Sequence, residues 1–160
     1  MKRLLLPILA LCLFASTAFA EQHVHSKAKV SVDVPSGWKM DGGEDHMTVM
    51  DAKGEVAFFL MVMEASDLEH AAKAIDKEVG KAVKNVKWEG EPSELKLNGM
   101  DAMALEGTGK VDSQAVDLGV LIVVTPAKKV LLVLGAVDHE KSDAHEADVK
   151  AFLNSIKPAK

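Results

Sequence analysis

The sequence predicts a single α+β domain, a central, mostly antiparallel sheet with helices packed against it. Two kinds of pattern carry this reading. Runs of alternating or continuous apolar residues are joined by tight-turn signals, as in Leu95–Leu97, Asn98-Gly99 and Met100–Glu106, and in 114–125 and 129–137 about the turn at Pro126–Lys128. Two segments change to a helical period, one from Ser66 to Lys84 and one from Asp143 to Ile156. Strands that follow one another through tight turns pair antiparallel, which separates this pattern from a doubly wound parallel fold.

Residues 1–20 read as a cleavable secretory signal. Lys2 and Arg3 precede the apolar run Leu4–Phe14, and Ala18-Phe19-Ala20 offers small residues for a cut after Ala20. The run is shorter than the ~20 residues a spanning helix needs, so no transmembrane segment is expected after cleavage. Leu11 before Cys12 is not the small residue that a lipid-modified leader places there. The expected location is the periplasm or the medium.

Cleavage would remove the chain's one cysteine and its one arginine, Arg3, and shift the formal net charge from −5 to −7, because Lys2 leaves with Arg3 and no acidic residue does. Without cysteine there is no disulfide, so a packed core must stabilise the fold. An acidic chain without the forked guanidinium donor argues against nucleic acid as a partner.

From the expected new terminus, residues 21–27 are polar and aperiodic and read as a mobile tail, with the domain spanning 28–160. Val30, Val32 and Val34 alternate as on a half-buried strand, and Pro35-Ser36-Gly37-Trp38 ends it. The glycines and acids of 41–46 make a turn before a short strand at 46–51. The run from Glu55 to Glu64 is apolar on both faces, as in a strand covered on both sides. The helix that follows repeats apolar residues at Leu68, Ala72, Ile75, Val79 and Val83, with Ser66 and Glu69 as a capping box. Val86 and Trp88 alternate before Pro92 interrupts. The last helix carries Val149, Phe152, Leu153 and Ile156, has Asp143 and Glu146 at its start, and stops at Lys157-Pro158.

Three stretches, 30–40 (VSVDVPSGWKM), 97–109 (LNGMDAMALEGTG) and 151–158 (AFLNSIKP), together resemble the PsbP-like fold family. The resemblance spans nearly all of 28–158 and rests on structural motifs: a turn plugged by Trp38, a hairpin, a helix end. It implies a central antiparallel sheet with packed helices. It carries over no catalytic residue, and the family's known work is binding to partners rather than turnover.

Several groups of residues bear on chemistry. A cut after Ala20 would free the amine of Glu21 and place His23 third. That amine, the amides of Gln22 and His23 and the His23 imidazole can fill a square nitrogen plane suited to Cu(II) or Ni(II), with His25 as accessory. No other cofactor is expected. Seven methionines remain after cleavage against three phenylalanines and no tyrosine, so thioethers fill core space that aromatics would take. His139 and His145 stand among Asp138, Glu140, Asp143, Glu146 and Asp148, a set that also serves a solvated acidic helix start. Lys73, Lys77, Lys81 and Lys84 form a stripe that would offer an interaction face on the helix. No phosphate loop or Gly-x-Ser-x-Gly elbow is present, because the GTGK at 107–110 lacks the flanking residues of the former.

The leading expectation is therefore an exported, non-catalytic binding or interaction module of the PsbP-like type, meeting an unknown protein or small ligand in the periplasm. A periplasmic copper or nickel protein is the alternative, and a hydrolytic enzyme a more distant one.

Overall fold

The computed structural model describes residues 20–160, so the leader expected at 1–20 lies, apart from Ala20, outside the described residues. Ten strands and two helices follow: β1 (Glu21–His25), β2 (Val30–Val34), β3 (Lys39–Gly42), β4 (His46–Met50), β5 (Val56–Met63), α1 (Leu68–Val79), β6 (Lys84–Leu97), β7 (Met100–Val111), β8 (Gln114–Val124), β9 (Val130–Asp138), α2 (Ser142–Ser155) and β10 (Lys157–Pro158). A one-turn 3-10 helix at His139–Lys141 leads into α2.

Seven strands form one antiparallel sheet in the order β3-β4-β5-β9-β8-β7-β6, and β1-β2-β10 form a second. The chain climbs β3-β4-β5 by hairpins, and α1 then leads from β5 to the far edge at β6. It returns by β6-β7-β8-β9 until β9 pairs with β5, from Val56↔Val137 to Met63↔Val130.

The two central strands show why they read as unbroken apolar runs. On β8, Val116, Leu118, Val120 and Ile122 join the cluster around Ala71, Ile75 and Val79 of α1. Leu121 and Val123 point the other way, into the cluster that holds Val30, Val32 and Val34 of β2 and Phe152 and Ile156 of α2. Strand alternation feeds two cores, one on each face. The methionines divide likewise: Met63 is buried toward α1, and Met47 and Met100 toward α2.

On the α2 side, Phe58 and Phe152 stack with centroids 4.1 Å apart, and Trp38 stacks on Phe58 at 6.3 Å. Such pairs add about 0.5–1.5 kcal/mol beyond the area they bury. Trp38 reaches the stack because Pro35–Trp38 is a closed turn, with the Trp38 N–H donating to the Pro35 carbonyl at 3.1 Å and Gly37 at φ +83°. Asn98-Gly99 makes the expected hairpin, both residues at positive φ. The Asn98 amide also donates to the carbonyls of Asn154 and Ile156 at 2.9 and 2.7 Å, tying the hairpin to the end of α2.

Several expectations need correcting. Residues 21–27 are not a free tail, because Glu21–His25 pair along β2 from Glu21↔Val34 to His25↔Val30. The segment 41–46 is not all turn, since Lys39–Gly42 pair with β4. Pro92 does not end a strand: β6 passes it through a register shift between Glu89 and Ser93, which the sheet edge tolerates. The cap of α1 is Asp67, which accepts from the His70 amide at 2.9 Å, while Ser66 donates its hydroxyl to Asp67. Among the described residues no side chain caps α2, whose entry is shaped by the preceding turn, where Asp138 accepts from the Glu140 amide.

Candidate functional site

The face of the large sheet opposite α1 is only partly covered. The small sheet and the C-terminal half of α2 close one end. Toward the other end a cleft of about 570 Å³ opens between α2 and strands β7–β9, within the range of small-ligand sites. Two glycines make it. Gly119 and Gly135 are directly opposed on β8 and β9. At Gly135 the space a side chain would take is filled by the Phe58 ring, whereas a Cβ at Gly119 would meet none of the described residues within 4 Å. Gly119 is therefore the bare part of the floor, with Leu121, Val137 and Ala104 around it and Val149 and Leu153 of α2 as the apolar wall.

The rim is acidic. Glu89, Glu106, Asp117 and Glu146 border the cleft, against Lys150 and His139. Both basic groups are engaged: Lys150 with Glu146 one turn earlier on α2, and His139 Nδ1 with Asp117 at 2.6 Å. The Asp117 carboxylate beside it raises the His139 pKa. Glu89 and Glu106 are direct cross-strand partners on β6 and β7. Like charges directly opposite one another destabilise a sheet pair, and neither has an ion-pair partner among the described residues. An apolar floor beneath a surplus of carboxylates is complementary in charge and polarity to a cationic group on an apolar stem.

The residues singled out in the sequence are distributed differently. Glu21 and His23 lie on one face of β1, with the His23 ring 3.8 Å from the Glu21 carboxylate, and both border a small hollow beside Trp38 and Met40. His25 is buried, accepting the Ala28 amide at Nδ1, 3.3 Å away. Among the described residues its Nε2 has no hydrogen-bond partner, and burial lowers the ring's pKa from its ordinary value. Successive amides of a strand point to opposite sides, so Gln22 and His23 cannot both turn their amides to one ion while β1 is formed. A square-planar chelate there requires residues 21–23 to leave the sheet.

The lysine stripe is not one helical face. Helix α1 ends at Val79, so Lys73 and Lys77 lie on it, Lys81 in the turn beyond and Lys84 on β6. Lys73 pairs with Glu69 at 2.7 Å, Lys81 with Glu78 at 2.5 Å, and Lys84 donates to the Gly80 carbonyl at 3.3 Å.

His139 and His145 do not converge. His139 turns to Asp117 at the cleft, while His145 Nε2 meets Glu55 at 2.8 Å on the β4–β5 turn, with Asp51 close by. Among the described residues no helix is long and apolar enough to cross a membrane.

No protein-family model and no curated protein matches the sequence. The architecture defines an α+β class, an antiparallel sheet with a helix on each face and a small sheet beside one of them. Within that class the chain has the PsbP-like fold. It superposes on the cyanobacterial PsbP protein (CyanoP) of Synechocystis sp. PCC 6803 with a TM-score of 0.65 at 11% identity, covering 92% of this chain and 97% of that one. LpqN of Mycobacterium tuberculosis, described as involved in cell envelope biogenesis, gives 0.56 at 13% identity over 82% and 83%. PA94, a protein of unknown function from Pseudomonas aeruginosa, gives 0.55 at 14% over 88% and 98%. Identities this low establish the shared fold alone.

Proposed function

We infer that the protein is an exported, non-catalytic binding module whose cleft between α2 and the sheet seats a cationic, partly apolar segment of a partner protein. The observation that carries this reading is the Glu89–Glu106 pair, two unneutralised carboxylates opposed across neighbouring strands at the edge of an apolar floor. A fold tolerates such a local conflict where a ligand resolves it, and a lysine or arginine between the two carboxylates would do so. The bare floor at Gly119 leaves room for the stem that carries the charge. Export is supported by the leader pattern of residues 1–20 and by the involvement of the mycobacterial neighbour LpqN in cell envelope biogenesis.

A synthetic peptide of alternating lysine and leucine is a suitable probe, titrated into the isotope-labelled protein and followed by amide NMR shifts. Shifts are expected at 104–108, 117–121 and 146–153, weakened by salt and lost in the double variant Glu89→Lys, Glu106→Lys. Shifts elsewhere, or shifts indifferent to the charge reversal, would overturn the reading.

A further inference from the structure

We propose that Asp51, Glu55 and His145 hold a divalent first-row metal ion such as Zn(II), with Asp148 orienting the histidine from behind. The three side chains come from two elements far apart in sequence, the β4–β5 turn and the first turns of α2, and each presents a donor atom within 4.8 Å of the others. Tetrahedral zinc sets its ligand atoms roughly 3.4 Å apart, so the 2.8 Å Glu55–His145 contact would open slightly to admit the ion, within the 4.8 Å that encloses all three donors.

The site is backed by the fold. Asp51 is 7% exposed and accepts the amides of Val56 at 2.9 Å and Lys53 at 3.3 Å. An ionised carboxylate has about four acceptor positions, so these two bonds orient Asp51 without exhausting it. The Glu55 carbonyl accepts from the Asp138 amide at 2.8 Å, which fixes the backbone of the second ligand to β9.

Charge balance separates a metal site from a plain ion pair. Two carboxylates facing one imidazole leave a net negative charge, whether or not the ring is protonated, in a largely enclosed place, where unpaired charge is costly. A divalent cation with a neutral imidazole brings the same three groups to neutrality. The free ring nitrogen fits this arrangement as well. Among the described residues His145 Nδ1 is buried without a hydrogen-bond partner, and the Asp148 carboxylate stands 3.6 Å from it. With Nε2 on a metal, Nδ1 must carry the proton and would donate it to Asp148, the outer-shell pairing that metal-bound histidines make. One nitrogen and two carboxylate oxygens select a borderline or hard divalent ion over Cu(I).

The test uses Zn(II), Co(II) and Mn(II) as probes on the intact protein. One equivalent of Zn(II) should raise the unfolding midpoint, and Co(II) should give visible absorption of a low-coordinate site. Mn(II) should broaden the amide resonances of 51–56 and 145–148 before any others. Glu55→Gln and His145→Gln should each abolish the Zn(II)-induced rise, and Asp148→Asn should weaken Zn(II) binding about ten-fold. Mn(II) broadening that falls first elsewhere, such as at 21–25, would overturn the proposal even if a variant failed to fold. So would Zn(II) binding unchanged in both glutamine variants, leaving the His145–Glu55 contact as an ion pair only.

Discussion

Gly119 and Gly135 face each other across β8 and β9, yet the same substitution should have opposite consequences at the two. At Gly135 an added Cβ would lie 3.0 and 3.2 Å from two atoms of the Phe58 ring. That ring has no exposed surface and is held between Phe152 and Trp38, so it has nowhere to retreat. Forcing a methyl into a packed core costs about 1–3 kcal/mol. At Gly119 the methyl would enter open space, and no positive φ opposes alanine there. The remaining effect is the reduced freedom of the unfolded chain, a stabilisation of about 0.4–1 kcal/mol that both variants share.

Gly135→Ala should therefore lie about 1–3 kcal/mol below Gly119→Ala, or roughly 2–12 °C in thermal midpoint for a domain of this size. Gly119→Ala itself should unfold at or slightly above the wild-type midpoint. Urea unfolding followed by circular dichroism decides the matter, provided the m-values agree. Equal losses in the two variants would show that the floor at Gly119 is not open. A neutral Gly135→Ala would show that the aromatic stack yields. Gly119→Leu carries the reasoning into function: it should fold, fill the cleft and suppress the shifts caused by the lysine–leucine peptide.

Phe152→Ala should cost about 3–5 kcal/mol, because the ring is 1% exposed and anchors α2 on Phe58; a loss under 1 kcal/mol in denaturant titration would contradict that role. His25 has its pKa lowered chiefly by burial, so below pH 6.5 the unfolded chain takes up the proton first. Stability should therefore fall as pH drops below about 6.5, and His25→Asn should flatten that slope in midpoint measurements across pH 5–8. Copper at the expected mature terminus must compete with β1, so Cu(II) should bind the free peptide Glu21–His25 more tightly than the folded protein beginning at Glu21. Equal affinities by calorimetry would show that β1 imposes no cost, and undiminished binding by His23→Ala would remove the chelate altogether.

What the sequence disclosed tracks where burial follows a simple period. Strands β5 and β9 and the second half of β8 are apolar on both faces because both faces are covered there, and α2 is legible from Phe152 and Ile156. The missed strands lack that signal. In β1 the residue turned inward is His25, while its one aliphatic residue, Val24, is 54% exposed, so the pattern runs opposite to the usual one. All four residues of β3 are exposed; the two pieces of β6 are legible at Val86–Trp88 and Leu95–Leu97, but their continuity past Pro92 along an exposed edge is revealed only by pairing with β7. The cap of α1 was displaced by one residue because Ser66 and Asp67 both offer an oxygen. The structure selects Asp67, whose bonds with the His70 amide and ring, and with Ser66, hold its pKa down to about 2.

The sites were illegible for a related reason: both are built from pairs distant in the chain. Glycine within a strand marks close approach or missing packing, so Gly119 and Gly135 were a readable hint of a thin place in the sheet. Which of them is filled depends on Phe58, some 60 to 80 positions away. The opposition of Glu89 to Glu106 depends on a register that shifts between Glu89 and Ser93, and one residue of slip would send each side chain to the other face. His145 drew attention together with the acids of its own helix, since those are its neighbours in sequence. Its Nε2 instead faces Glu55, ninety residues earlier, because the β5–β9 pairing brings the β4–β5 turn against the start of α2. Periodicity reports what one element buries, whereas the cleft and the Asp51–Glu55–His145 cluster arise from how elements are set against each other. The histidines and acids of 138–148 were therefore visible as residues, but their division between Asp117 at the cleft and Glu55 at the turn could come only from the fold.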